Sequence, residues 1–153
     1  MRNTNVKPIP DGYHTLTPFL TVKGAAKNLD FLKNAFDARE RSIHKGPDGT
    51  IMHAELQIGD SLIMMSEATE KYPAMPSTLY MYVDDVDAVY HKAIEAGGTS
   101  LREPTDEFYG DRSSGITDPS GNQWWIATHI EDVSPEEMRR REEEFMKKQQ
   151  ASS

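Results

Sequence analysis

Residues 15–66 and 77–128 follow one plan twice: an apolar strand, a short helix, a strand and then a hairpin. Val22 ends the first strand and Val83 its counterpart, and the amphipathic stretches that follow match at the same offset. Ala25, Leu29, Leu32 and Ala35 recur as Val86, Tyr90, Ala93 and Ala96. Gly59-Asp60-Ser61 followed by Leu62-Ile63-Met64 recurs, displaced by one residue, as Gly121-Asn122-Gln123 followed by Trp124-Trp125-Ile126. A period of about 60 residues is longer than a typical solenoid unit. Mixed strand and helix within it predicts two βαβββ modules instead. Two such modules can enclose one cleft, and a cleft is where function is expected.

At 153 residues the chain fits one compact domain, or two half-domains sharing a core. The boundaries read as an irregular N-terminal arm over 1–13, a first module over 14–66, a linker over 67–76, a second module over 77–130 and a C-terminal helix and tail over 131–153. The net charge of −8 disfavours non-specific binding to nucleic acid or to an anionic membrane surface. The absence of cysteine excludes disulfides and thiolate chemistry and is compatible with a cytoplasmic location. No apolar run approaches membrane-spanning length, and the first residues lack the apolar region of a signal peptide.

Strands are expected over Thr15–Val22, Ala38–Lys45, Thr50–Ile58 and Ser61–Ser66, with a helix over Gly24–Phe36. The second module repeats them as Ser77–Val83, a helix over Val86–Ala96 closed by Gly97-Gly98, then Ser100–Glu103, Ile116–Thr117 and Gln123–His129. Residues 104–115 are longer and more aromatic than their counterpart, which marks them as a lid or specificity loop. Ser134-Pro135-Glu136-Glu137 opens a last helix with a capping residue, a proline at the first helical position and a capping-box glutamate.

Several segments together resemble the vicinal-oxygen-chelate superfamily, which holds glyoxalase I, bleomycin- and fosfomycin-resistance proteins and extradiol dioxygenases. They are Gly12-Tyr13-His14-Thr15, Asp48-Gly49-Thr50-Ile51-Met52-His53-Ala54-Glu55-Leu56, Tyr109-Gly110-Asp111-Arg112 and Asp118-Pro119-Ser120-Gly121. Ala127-Thr128-His129-Ile130-Glu131-Asp132-Val133-Ser134-Pro135-Glu136-Glu137 completes the set. Within the superfamily the chain is most similar to the PhnB-like, glyoxalase-related branch. The resemblance implies an α+β fold, with two tandem βαβββ modules forming a curved mixed sheet around a cleft, plus the C-terminal helix. It also implies a homodimer.

Metal-dependent members place His or Glu on the first and last strands of each module. Here the matching positions hold Thr17 and Thr78, then Trp125, with Ile63 or Met64 as its first-module partner. Neutral hydroxyls, an indole and an aliphatic chain are poor substitutes for imidazole and carboxylate. No metal and no cofactor is therefore expected. His53 and Glu55 share one face of a strand, and His129 shares a face with Trp125. If the three meet, they form an acid–base set; otherwise they are exposed or hydrogen-bonded groups on a sheet. Alternation groups Thr17 with Phe19, Tyr80 with Tyr82, and Trp125 with His129. That surface suits a flat or apolar ligand, or else fills the space of a lost metal site. Phe108 and Tyr109 are candidates to cover the cleft, and Arg112 is either an anion anchor or the partner of Asp111. The expected function is small-molecule binding without the usual metal. Alternatives are a lyase or isomerase using the His and Glu residues, and a non-catalytic accessory protein with a vestigial cleft.

Overall fold

Leu20 and Val22, Ala54 and Leu56, and Ile63 and Met65 stand two apart on their strands, and all six are buried. Period-two alternation gives a sheet one apolar face, and a helix must cover it. The computed structural model describes residues 5–152; residues 1–4 of the expected arm and residue 153 of the expected tail lie outside it. The first module comprises β1 (Phe19–Val22), α1 (Ala25–Phe36), β2 (Arg39–Lys45), β3 (Ile51–Ile58) and β4 (Ser61–Glu67). The second comprises β5 (Thr78–Tyr82), α2 (Val86–Glu95), β6 (Thr99–Asp106), β7 (Asp111–Thr117) and β8 (Gln123–His129). Each builds its own four-stranded mixed sheet, ordered β1-β4-β3-β2 and β5-β8-β7-β6, in which only the first pairing of each is parallel.

The helices start in different ways. α1 begins at Gly24, which is left-handed at φ 84° and offers no side-chain cap. Glu67 at the end of β4 supplies it, accepting from the Gly24 and Ala25 amides at 2.9 and 3.3 Å. α2 is capped locally: the Asp85 carboxylate accepts from the Ala88 amide at 3.1 Å. Both helices turn their repeated apolar stripe inward, and these stripes pack against each other as well as on their sheets. Phe36 of α1 lies 5.0 Å from Trp124 of β8, centroid to centroid, and the buried side chains of both modules form one cluster. Among the described residues, the hydrogen bonds between the modules run through the same layer, as Ser120 to the Lys23 carbonyl and Lys92 to Asp37. A groove of about 1050 Å³ opens between the modules, lined by Phe36, Ile63, Leu79, Met81, Tyr80 and Tyr82 among others.

Two expectations are corrected, and one open alternative is resolved. The first strand starts at Phe19 rather than Thr15, because Pro18 has no N–H to give the ladder; its carbonyl accepts from Met64 at 2.9 Å. Residues 104–115 are a strand and a tight turn rather than an open loop. β6 runs on to Asp106, and Glu107–Gly110 is a tight turn closed by Glu107 N–H to the Asp111 carbonyl at 2.7 Å. Pro104 is tolerated there because β6 is an edge strand. The register pairs Phe19 with Met64 and Tyr80 with Trp125, so Met64 is the counterpart of Trp125 and Ile63 belongs to the core.

The last helix, α3 (Pro135–Ser152), has Ser134 accepting from the Glu137 amide at 3.2 Å, as its capping chemistry implies. It buries no residue. Phe145 meets Phe108 at 4.9 Å, and Arg141 bonds Glu131 and the Phe108 carbonyl.

One polar knot holds the β7–β8 turn. The buried Asp118 carboxylate accepts from the amides of Ser120 and Asn122, the Asn122 side chain and the Trp124 indole N–H at 2.9–3.3 Å. Removing it strands several donors at once. Asp118→Ala is expected to lower unfolding stability by about 3 kcal/mol in a denaturant titration; a loss below about 1 kcal/mol contradicts this account.

Candidate functional site

The helix-free face of the second sheet carries one residue in two from each strand. β5 contributes Thr78, Tyr80 and Tyr82; β8 contributes Gln123, Trp125, Ala127 and His129; β7 contributes Asp111, Ser113 and Gly115. Asp111 organises this face. It is only 3% exposed, and its Oδ2 accepts from both the Tyr80 and the Tyr82 hydroxyls at 2.9 Å. Its Oδ1 takes His129 Nδ1 at 2.9 Å, and His129 Nε2 meets Asp132 at 2.7 Å. Burial alone would raise the Asp111 carboxyl, but the bonds from His129, Tyr80 and Tyr82 hold it below the ordinary value. Burial first, and then the bond to Asp111, push the Tyr80 phenol far up, so it stays a donor. The bond to Asp111, with a second from Asp132, raises His129 above its usual value.

The two phenols are pinned, yet their rings are open: Tyr80 is 47% and Tyr82 63% exposed, and the rings lie 5.3 Å apart. Trp125 lies across Gly115, where an added Cβ would meet the indole at 2.6 Å. A side chain at Gly115 would lift that ring off the sheet.

The first sheet presents Phe19 and Thr21 from β1, Met64 and Ser66 from β4, and His53 and Glu55 from β3. Phe19 is 49% exposed. The His53 ring lies 5.9 Å from Phe19 and 6.3 Å from His44. Glu55 accepts a hydrogen bond from the Tyr13 hydroxyl. Thr17, Glu55 and Met64 line a pocket of about 410 Å³ together with residues of the N-terminal arm.

The expected acid–base set is divided. His53 and Glu55 stand on β3 and His129 on β8, in different sheets, each with partners of its own. Phe108 packs on Phe145 of α3 and edge-on to Tyr109, so it does not cover the aromatic face. Arg112 has the opposite strand parity to Asp111. Its guanidinium grips Asp87 at 2.8 and 2.9 Å and Asp106 at 3.0 Å, which makes it a stitch between α2 and the β6–β7 hairpin. Sequence reasoning missed Asp111 as the organiser, having read it as the partner of Arg112. Strict alternation back from Ser113 was the available signal. It also missed Tyr13, whose partner lies 42 residues away.

Residues 13–126 match the Glyoxalase/Bleomycin resistance protein/Dioxygenase superfamily, and the chain belongs to it. An uncharacterised protein of Mycobacterium bovis is 32% identical over 145 residues, which cover 88% of this chain and 91% of that one. An uncharacterised Mycobacterium tuberculosis protein is 32% identical over 88% of this chain and 82% of its own. Among solved structures, TioX from Micromonospora superposes with a TM-score of 0.68 at 22% identity, covering 77% of this chain and all of TioX. A PhnB protein from Bacillus cereus, titled a putative 3-demethylubiquinone-9 3-methyltransferase, gives 0.61 at 21% identity over 75% of this chain and 99% of its own. These two structures share the fold. No helix among the described residues is long and apolar enough to cross a membrane.

The raised His129 value fixes the sign of a pH effect. Its stabilising contribution is complete below the unfolded value near 6.5 and is lost as pH rises through the folded value. The Asp111 contribution runs the other way, being lost only as pH falls below the carboxylate range. Wild type should therefore exceed His129→Ala in thermal stability most at about pH 5.5, with the gap narrowing towards pH 8.5. A gap that widens with pH contradicts this assignment.

Proposed function

We propose that the protein binds a planar, largely apolar small molecule on its aromatic sheet faces, without the metal typical of its superfamily. The carrying observation is the Tyr80–Tyr82 pair, exposed as rings but immobilised through two hydrogen bonds to Asp111. Exposed aromatic surface that is already ordered loses little side-chain entropy when a ligand stacks on it. Ala127, Ser113 and Gly115 place only small side chains on the adjoining face, and the Trp125 ring extends the platform.

The donor set supports the metal-free part. The positions where the superfamily's chelate would draw ligands hold Thr17, Thr78, Met64 and Trp125, a poor fit to a divalent transition metal. Among the described residues no three His, Asp or Glu side chains are grouped to hold an ion. The acid–base alternative is the weaker reading, because its three residues stand on two sheets. A cytoplasmic location and no role in nucleic-acid binding go with the proposal, in keeping with the acidic, cysteine-free chain.

A homodimer is part of the same reading. α1 and α2 pack together between the modules, so the helix-free faces with Phe19, Tyr80 and Tyr82 stay exposed in one chain. A second copy can set the first-module face of one chain against the second-module face of the other. The duplication supplies the matching registers.

Fluorescence titration with proflavine and with N-phenyl-1-naphthylamine tests the binding. Saturable binding that survives EDTA is expected, with Trp125→Ala about tenfold weaker. Failure of both dyes to bind overturns the reading, and loss of binding in EDTA overturns its metal-free part. Light scattering at micromolar protein should give twice the 17.3 kDa chain mass; a monomeric mass counts against the paired cleft.

A further inference from the structure

We propose that Tyr13 is a ligand-contacting residue, carried on an N-terminal strap that walls the first-module pocket. The inference rests on the small-molecule reading above and extends it to a segment outside the repeat.

The strap is seated on the sheet at several points. The Tyr13 hydroxyl donates to Glu55 of β3. Arg41 of β2 donates to the Asp11 carbonyl at 2.6 Å, and its guanidinium stands 5.5 Å from the centre of the Tyr13 ring. Gly12 sits between them at φ 84°, so close that an added Cβ would meet Arg41 Nη1 at 2.6 Å and Leu62 at 3.2 Å. The positive φ favours glycine here, and a larger residue would also have to displace the Arg41 guanidinium. Leu62 on the sheet's helix-free face is consequently buried at 6% exposure.

A pocket remains under the seated strap. Its volume of about 410 Å³ is bounded by Thr17, Glu55 and Met64 on the sheet side and by Ile9, Pro10 and Tyr13 on the strap side. The strap is thus a wall and not a plug, and a ligand in the pocket would touch the tyrosine.

The internal repeat points to the same role. Glu55 pairs with Met64 at the register where Gly115 pairs with Trp125. In the second module the indole itself covers that place. In the first module the narrower Met64 leaves it open, and Tyr13 delivers a ring to it from the strap. Each module therefore brings one large ring to this part of its sheet, carried by the strand itself in one module and by the strap in the other. Burial and the Glu55 bond push the Tyr13 phenol up to about 12, so it remains a donor at any physiological pH.

The test compares wild type, Tyr13→Phe and Tyr13→Ala in proflavine and N-phenyl-1-naphthylamine titrations, with hydrogen exchange read at residues 11–15. Tyr13→Ala should weaken binding about tenfold, while Tyr13→Phe, which keeps the ring and loses only the latch, should lose about threefold. Exchange at residues 11–15 in wild type should slow when dye binds. Equal losses in both variants reduce Tyr13 to a structural latch and overturn the proposal. So does unaltered affinity in Tyr13→Ala, or exchange that ignores the dye. If wild type itself binds neither dye, the functional reading fails and this inference falls with it. Wild-type binding with an unaffected Tyr13→Ala variant sinks this inference alone.

Discussion

The packing of α1 against α2 is the contact on which the remaining architecture depends. A module of about 60 residues has too little interior to be well stabilised alone. Joining the two helix layers merges two thin cores into one, with Phe36 against Trp124 at the junction. Each large apolar side chain fully buried there contributes about 1.5–3 kcal/mol. The arrangement also decides which surfaces stay open. With the helices committed to the interior, the opposite face of each sheet is left to carry exposed aromatic groups.

Two buried carboxylates then shape the second module, in different ways. Asp118 collects backbone and side-chain N–H groups and fixes the β7–β8 turn, a local closure that any tight hairpin can use. Asp111 instead draws on two other strands, reaching Tyr80 and Tyr82 of β5, His129 of β8 and through it Asp132. A charge that deep in the protein is tolerable only when fully hydrogen-bonded. The rigidity of the aromatic wall follows from that requirement. Arg112, one residue on, faces the other way and ties the same hairpin to α2.

Much of the fold was legible in the sequence because the repeat is carried by apolar spacing, which survives divergence. The matched stripes of α1 and α2, the Gly97-Gly98 helix end and the Ser134 cap all stand where local chemistry put them. The supposed loop over 104–115 was misjudged because its extra length and aromatic content read as an insertion, whereas the added residues lengthen the β6–β7 hairpin and Pro104 is absorbed by an edge strand. Residues of the site were harder to read. Tyr80, Tyr82 and Trp125 followed from parity alone, but Asp111 and Tyr13 owe their roles to partners 18 to 42 residues distant. Spacing along a strand says which face a residue takes, and nothing about what will reach it there.

The two helix starts carry a consequence for how the chain assembles. α2 brings its own cap in Asp85, so its first turn can form while the rest of the module is still open. α1 takes its cap from Glu67, which lies two further strands along the chain and reaches it only where β4 pairs with β1. The repeat that makes the modules look alike thus conceals an inequality. One helix is capped by its neighbour in sequence, and the other by the strand that pairs beside β1.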